Sequence, residues 1–321
     1  MAVPLLLAPM AELSNRVLRE LIENFGGCDE YFTEMISAAG LLAGGPFEKW
    51  YVDANPRPEK TVFQLVGSDS TQISQAAAIL DKLECAGIDI NMGCSAPIIR
   101  KNGAGAAWMG SVDRASELIS KIKPNVKHRL SVKLRLGYKD DFDYLVNFCR
   151  KLENEGVELI TLHPRLITEK FKRFARWEYV EKLRQELRIP VAGNGDAASA
   201  ENIIKRANGP CDAVMVGRAA IRQPWIFRDA VNLQTPVIAC RNDETAAGEG
   251  TSIVKKTGLR FLELLSRYQP PEFHISRARR FFSYFCDNLK WGSYMKNKIN
   301  REESLSGIEK VWLEYFITNL F

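Results

Sequence analysis

Short apolar runs alternate with segments of helical periodicity along most of the chain. The first run, Leu5 to Met10, precedes a segment near 14–25 whose apolar side chains recur every three to four residues. Continuous apolar runs are typical of strands in a parallel sheet covered on both faces, and the recurring pattern is typical of an amphipathic helix. The alternation predicts eight strands, near 5–10, 31–33, 61–67, 88–91, 130–135, 159–163, 189–196 and 213–218. Helices are predicted near 14–25, 70–86, 111–122, 142–155, 176–187, 198–208 and 219–232.

Eight β-α units over about 230 residues predict the α/β class and a (β/α)8 TIM barrel, with an open doubly wound sheet as the alternative. Polar residues favour the closed form, because they lie in the C-terminal halves or at the C-terminal ends of the predicted strands. They are Gln64, Asn91, Lys133, Arg135, His163, Asn194, Gly217 and Arg218. In a barrel those ends converge on one face, which is where active sites lie.

The alternation stops near residue 235, and the polar stretch at 236–250 is predicted to be a linker. The barrel is therefore assigned to 1–235 and a small C-terminal all-helical domain to 251–321. Residues 1–250 carry 32 basic and 32 acidic side chains, whereas 251–321 carry 12 and 7, so the net charge of +5 lies in the helical part. This asymmetry indicates a polyanionic partner, although many solvated helical faces are mildly basic.

The composition argues against several classes of protein. No apolar run approaches the roughly 18 residues that span a bilayer, and the first residues lack the basic segment of a signal peptide. We therefore expect a cytoplasmic protein without a membrane partner. The seven cysteines are scattered with no Cys-x-x-Cys pair, which argues against a disulfide framework and a zinc site. We expect no metal, and a monomer.

Residues 89–109 form the most informative stretch. A predicted strand ends at Asn91 and Cys94 and passes into a glycine-containing segment with Arg100 and Lys101. A thiol at a strand exit with cations nearby suits chemistry on an anionic partner. The competing interpretation is a buried structural cysteine, which is the commoner role of an arbitrary cysteine.

Two later strand exits predict a phosphate site. One is Gly193-Asn194-Gly195-Asp196, and the other is Gly217-Arg218. Backbone N–H groups at helix N-termini bind phosphate, and the loops after strands seven and eight of a barrel often do so. The alternative is a dinucleotide fingerprint, because Gly193, Gly195 and Ala198 satisfy its relaxed spacing. That alternative is disfavoured because a dinucleotide fingerprint is expected at the start of a β-α-β domain, whereas these glycines lie in the seventh β-α unit.

Lys133 and Arg135 are predicted to point the same way, into the top of the barrel. An unpaired charge there is costly unless it meets an anion. A phosphorylated cofactor with an anionic ring would satisfy Lys133, and the alternative is an internal salt bridge to Asp89 or Asp196.

His163 ends the sixth predicted strand. A lone histidine is more often a satisfied core residue than a ligand or a base. Here it opens a basic segment that starts at Arg165 and continues to Arg176. Such a segment is usually a solvated loop, but at a barrel mouth it could flank a nucleic-acid channel.

Taken in order, these motifs resemble the tRNA-dihydrouridine synthase family over nearly the whole chain. The matching motifs are Ala8-Pro9-Met10-Ala11, Phe63-Gln64-Leu65-Val66-Gly67, Asp89-Ile90-Asn91-Met92-Gly93-Cys94, Gly103-Ala104-Gly105-Ala106-Ala107, Val132-Lys133-Leu134-Arg135, His163-x-Arg165, Asn194-Gly195-Asp196 and Gly217-Arg218-Ala219. The resemblance implies an FMN-binding barrel followed by a helical tRNA-binding domain. It also implies reduction of the uracil C5–C6 bond in specific tRNA uridines, with NADPH as the reductant.

The resemblance and the basic side chains together suggest a role for each site residue. Cys94 would donate a proton to C5, while the flavin delivers a hydride to C6. The expected FMN contacts are Pro9, Met10, Ala11, Gln64, Lys133, His163, Asn194, Gly195, Asp196, Gly217 and Arg218. The expected tRNA contacts are Asn91, Arg100, Lys101, Arg165, Arg277 and Arg280.

Two positions depart from the family pattern. Ser95 follows the cysteine where the family usually has proline, and Pro164 stands where glycine is commoner. Because proline has a fixed φ, its absence predicts a changed path for the loop at 95–105. Two other functions stay open: an FMN barrel oxidoreductase for a small molecule, which gives no reason for the basic tail, and a catalytically silent RNA-binding scaffold.

Overall fold

Eight parallel strands close into a barrel in the computed structural model, which describes residues 3–169, 173–234 and 246–318. The strands are β1 (Leu5–Leu7), β2 (Glu30–Ser37), β3 (Thr61–Val66), β4 (Gly87–Met92), β5 (Arg129–Arg135), β6 (Leu159–His163), β7 (Val191–Asn194) and β8 (Ala213–Val216). They pair in sequence order, and β1 also pairs with β8. The predicted closed barrel is therefore confirmed, and the open doubly wound sheet is excluded.

Helices follow most strands and cover the barrel. They are α1 (Arg16–Glu23), α2 (Ala38–Ala43), α3 (Glu48–Tyr51), α4 (Ser70–Leu80), α5 (Pro97–Lys101), α6 (Val112–Ile122), α7 (Phe142–Asn154), α8 (Glu178–Glu186), α9 (Ala200–Ala207), α10 (Arg218–Arg222) and α11 (Ile226–Gln234). Polar N-caps begin several of them, as Asp69 does for α4 and Ser111 for α6. The single helix predicted at 219–232 is instead two, because Pro224 lies between α10 and α11 and cannot donate a helical hydrogen bond.

Four helices end the described chain: α12 (Ala246–Tyr268), α13 (Pro271–Phe285), α14 (Gly292–Ile299) and α15 (Leu305–Thr318). Their core is aromatic, with the rings of Phe261 and Phe281 stacked at 3.7 Å between centroids and Trp312 packed on Phe282. All four rings are buried. Of the predicted linker, 236–245 lies outside the described residues and 246–250 belongs to α12. No helix of the described residues is long and apolar enough to cross a membrane.

A buried ion pair joins the C-terminal helices to the barrel. Arg277 of α13 lies 3.0 Å from the Glu34 carboxylate on β2, and the two side chains are 2% and 3% exposed. Glu34 also accepts a 2.6 Å hydrogen bond from the backbone N–H of Glu12, in the loop after β1. Burial raises the pKa of Glu34, and Arg277 opposes that effect. Arg277 was predicted to contact tRNA, but its guanidinium is buried against the barrel.

Replacing Arg277 by leucine should destabilise the protein, because Glu34 would keep a buried charge without its partner. We expect a loss of about 3–5 kcal/mol, measured by urea denaturation. The exposed neighbour on the same helix, Arg280→Leu, should change stability by less than about 0.5 kcal/mol. Adding Glu34→Gln to Arg277→Leu should restore part of the loss. Equal stability of the two single variants would contradict this account of the ion pair.

Candidate functional site

The carboxyl ends of the strands gather polar side chains at one rim of the barrel. Gln64 of β3 lies opposite Asp89 of β4, and Asn91 of β4 lies opposite Lys133 of β5. All the strands are parallel in a closed barrel, so the residues predicted from separate motifs are brought together at this rim. Among the described residues, no group of three or more His, Cys, Asp or Glu side chains could hold a metal ion.

A chain of buried hydrogen bonds runs from β5 to the loop that carries Cys94. Asp89 accepts from the Ser131 hydroxyl and from the Gln64 amide, each at 2.7 Å. Gln64 in turn accepts from the Asn91 amide at 2.8 Å. The Asn91 oxygen then accepts from the backbone N–H of Cys94 at 2.9 Å and from that of Gly93 at 3.2 Å. We call this chain the amide relay.

The carboxylate at the start of the amide relay determines its direction. Burial raises the pKa of Asp89 to about 6, so the group is mostly ionised at neutral pH and only accepts hydrogen bonds. Gln64 must therefore turn its NH2 group towards Asp89 and its oxygen towards Asn91. Asn91 is forced to turn its own oxygen towards Cys94. Asn91 was predicted to bind substrate, and the structure shows its amide holding the Cys94 loop.

Close backbone packing fixes the loop at Cys94, which is half-buried. The Cys94 carbonyl accepts a 3.0 Å hydrogen bond from Ala106, and Arg135 donates to the Gly93 carbonyl at 2.9 Å. Gly105 has a φ of +58°, and a Cβ there would lie 2.8 Å from the Cys94 carbonyl oxygen. Only glycine tolerates both conditions without strain.

The loop that lacks the family proline is partly helical, because α5 begins at Pro97. Proline suits the first helical position, where its missing N–H has no intrahelical role. Arg100 donates to the Ser95 carbonyl at 3.2 Å, and Lys101 is exposed. The Ser95 carbonyl therefore accepts a hydrogen bond within the loop. Of the two predicted basic contacts, Arg100 and Lys101, Lys101 is the more accessible to solvent.

Lys133 is a partly buried cation on β5, between the paired strands β4 and β6. Burial lowers its pKa to about 8, and repulsion from Arg135 acts in the same direction. The described residues place no carboxylate within salt-bridge distance of it. Asp89 is bonded within the amide relay and Asp196 pairs with Arg165, so the salt-bridge alternative is wrong for both. An anionic ligand would therefore stabilise the charge of Lys133.

His163 is held by Arg165, two residues further on. The Arg165 Nη1 lies 2.7 Å from His163 Nε2. Because a guanidinium only donates, Nε2 must accept and the imidazole proton must reside on Nδ1. Burial, with the surrounding cations Lys133, Arg135, Arg165 and Arg218, lowers the pKa of His163 well below its ordinary range. The imidazole is therefore neutral at physiological pH.

Arg165 was predicted to contact RNA, and the structure places it in the interior. Its side chain is 2% exposed. It donates to the Asp196 carboxylate at 2.5 Å and to the Arg173 carbonyl at 2.6 Å. Asp196 also accepts from the Ala175 backbone N–H at 2.6 Å. Arg165 thus connects the loop after β6 to the loop after β7.

The predicted phosphate loops both lie at the rim. Gly195 and Asp196 have positive φ angles of 120° and 53°, so the loop after β7 turns sharply towards His163. The Asn194 amide donates to the Met215 carbonyl at 2.8 Å, which links β7 to β8 at the rim. Arg218 is exposed at the start of α10.

The end of β1 completes the rim beside β8. A Cβ on Gly217 would lie 3.6 Å from the Ala8 Cβ and 3.7 Å from the Met10 sulfur. Pro9 and Met10 are partly buried, and Ala11 is exposed. Of the two residues predicted on α13, Arg280 is exposed on its surface, in contrast to the buried Arg277.

The sequence alone indicated no role for Ser131, and it did not show that Asp89 orients the Gln64 amide. The available signal was a polar residue inside an otherwise apolar strand, since a buried polar group needs a partner. Which partner it finds depends on the register of neighbouring strands.

Gly105→Ala should loosen the Cys94 loop, because the added methyl meets the Cys94 backbone and because alanine is strained at this φ by about 1–2 kcal/mol. We expect Cys94 to be alkylated by iodoacetamide at least about threefold faster, as measured by mass spectrometry of its peptide. The matched control is Gly110→Ala, where the methyl would meet Tyr138 at an ordinary 3.8 Å. Identical alkylation rates in the two variants would contradict the close packing.

Comparison with known proteins identifies the family of this chain. The family described as dihydrouridine synthase (Dus) matches residues 6–307. A protein of Aquifex aeolicus named "Probable tRNA-dihydrouridine synthase" is 34% identical over 70% of this chain and 71% of its own length. The tRNA-dihydrouridine(16) synthase of Neisseria meningitidis serogroup B is 32% identical over 70% of each chain. The match extends over nearly all the described residues, and the chain belongs to the dihydrouridine synthase family.

Proposed function

We propose that this protein is an FMN-dependent tRNA-dihydrouridine synthase, which reduces the C5–C6 bond of specific uridines in tRNA. The observation that carries the proposal is the half-buried Cys94, whose backbone N–H is held by the amide relay and which lies on the same rim as Lys133 and His163. Family membership supports it, and so do relatives named for this activity.

The residues at the rim suit a flavin mononucleotide. Four cations surround His163, and the Arg165–Asp196 pair offsets part of their charge, so the rim favours an anionic ligand. Backbone turns at Gly195, Asp196 and Gly217, with Arg218, would hold the phosphate. The residues that would hold the ring system are Pro9, Met10, Ala11, Gln64, Lys133 and His163. When bound, the flavin supplies the hydride for the reduction.

Cys94 would deliver the proton that the reaction also requires. The S–H bond breaks, a C5–H bond forms on the uracil, and the thiolate regains a proton from solvent. Its position depends on Asn91 and Gly105 rather than on its own side-chain contacts. Asn91 acts chiefly by holding this loop, since its oxygen accepts from Cys94 and Gly93.

His163 and Lys133 would contribute different interactions to the same site. Neutral His163 carries its proton on Nδ1 and adds no charge to the site. Lys133 supplies the positive charge that an electron-rich ring system favours. A pKa near 8 keeps this ammonium mostly protonated at pH 7.

The target base must leave its stack to reach a thiol at the rim of a barrel, so the tRNA has to be held from outside. Residues 251–321 carry the whole excess of positive charge and serve in this proposal as the tRNA-binding domain. Lys101, Arg100 and Arg280 are the predicted contacts that a polyanion could reach. NADPH is proposed as the reductant, acting in the cytoplasm on a monomeric enzyme.

Cys94→Ala should retain flavin but lose dihydrouridine formation by at least about 100-fold, because general acid catalysis contributes that much. Dihydrouridine in tRNA from cells lacking the native protein and carrying each variant is measured by mass spectrometry. The control is Cys211→Ala, which removes another half-buried thiol, bonded to the Arg206 carbonyl. Full activity of Cys94→Ala would remove the thiol from the reaction. Reduction of a small molecule but no tRNA would favour the other class of FMN oxidoreductase.

Lys133→Met and Arg218→Ala should each weaken flavin retention about tenfold or more, since each removes a charge-assisted contact with an anion. Retention is measured from the visible flavin absorbance after dialysis and from the affinity of apoprotein for added FMN. Lys205→Ala, an exposed lysine on α9, is the matched control. Variants as yellow as the control after dialysis would contradict these two assignments.

A further inference from the structure

The outward face of α14 carries two large aromatic side chains. Trp291, just before the helix, and Tyr294, in its first turn, are each 56% exposed. The helix is anchored on its other side by Met295 and Ile299, which are buried in the aromatic core. The helical spacing of 291, 294 and 298 aligns Trp291, Tyr294 and Lys298 along one side of the helix. We call these three residues the α14 stripe.

Basic side chains predominate along the α14 stripe, and one of them, Lys296, pairs with Asp287. Residues 288–301 contain four basic side chains and no acidic one. Lys298 Nζ lies 5.1 Å from the centre of the Tyr294 ring, and Lys290 Nζ lies 5.7 Å from that of Trp291. Aromatic faces interleaved with cations are the pattern by which proteins bind single-stranded nucleic acid, because bases stack on the rings and phosphates meet the cations.

The segment that precedes the α14 stripe contacts α10, the helix that follows β8. Asn288 donates to the Arg222 carbonyl at 2.6 Å, and Arg222 ends the short helix that begins at Arg218. Trp291 follows this anchor by three residues. A polynucleotide with one base at the rim could therefore extend onto the stripe.

We propose that the α14 stripe is a stacking surface for unpaired bases of the tRNA, outside the nucleotide that is reduced. The inference rests on the proposed function and adds a specific set of contacts to it. Self-association is the competing use of an exposed aromatic face. A two-fold contact through this face would bring Lys290, Lys298 and their copies together, and like charges oppose such an interface. RNA provides bases that stack on the aromatic rings and phosphates that interact with the lysines.

The test compares the Trp291→Ala/Tyr294→Ala double variant with wild type, using purified holoenzyme and its tRNA. We expect Kd and KM for tRNA to rise about tenfold or more, because stacking contributes about 1–3 kcal/mol per base. The value of kcat at saturating tRNA and the flavin content should stay within about twofold. Trp291→Phe/Tyr294→Phe keeps the rings and should retain most of the affinity.

Two further variants separate stacking from charge and from general surface effects. Lys290→Gln/Lys298→Gln should lower the slope of log Kd against log salt by about 1 to 2, whereas loss of the rings should leave that slope unchanged. Leu83→Ala removes a 40% exposed apolar side chain from the segment that precedes β4 and should not affect tRNA binding.

Each outcome bears on the proposal. Unchanged Kd and KM in the double alanine variant, with dihydrouridine formed normally by wild type, would overturn the α14 stripe while leaving the proposed function intact. A shift from dimer to monomer in sedimentation, without a change in tRNA affinity, would overturn it in favour of self-association. Failure of wild type to form dihydrouridine would refute the proposed function, and direct tRNA binding would still test the stripe.

Discussion

The backbone hydrogen bonds between the first and last strands are the constraint on which the site depends. Ala8 donates to the Val216 carbonyl at 2.8 Å, and Val214 donates to the Pro4 carbonyl at 2.9 Å. These bonds close the sheet, which leaves no strand edge unpaired and gathers all eight carboxyl ends at one rim. Closure also brings Met10 against Gly217, although more than 200 residues separate them in the chain.

Within that rim, a buried negative charge organises the polar groups. Asp89 is completely buried, and its carboxylate is stabilised by Ser131 and Gln64. An ionised carboxylate leaves each amide one favourable orientation, so the Asn91 oxygen faces the Cys94 loop. A second network lies at the ends of β6 and β7, where Arg165 connects His163 to Asp196. Gln64 and His163, which are proposed to contact the flavin, are thus held by Asp89 and Arg165, which are not.

The C-terminal helices are coupled to the same rim. Glu34 joins Arg277 of α13 to the backbone of Glu12, in the loop that continues from Pro9 to Ala11. A buried ion pair is expensive to desolvate, and its value here lies in fixing one position of α13 against the barrel. The proposed RNA surface on α14 and the proposed flavin site are thereby parts of one contiguous structure.

The sequence by itself determined the eight strands, the closed barrel, the helical tail and the residues at the rim, because apolar periodicity and strand-end polarity are local properties. It also marked Cys94 through its motif. Tertiary structure alone decided that Arg165 and Arg277 are buried, that Asn91 faces the Cys94 loop, and that Lys133 forms no salt bridge among the described residues. The sequence does not distinguish a charged side chain that is exposed to solvent from one that is buried in an ion pair. The partner of such a side chain comes from strand register and helix packing, which bring together residues far apart in the chain.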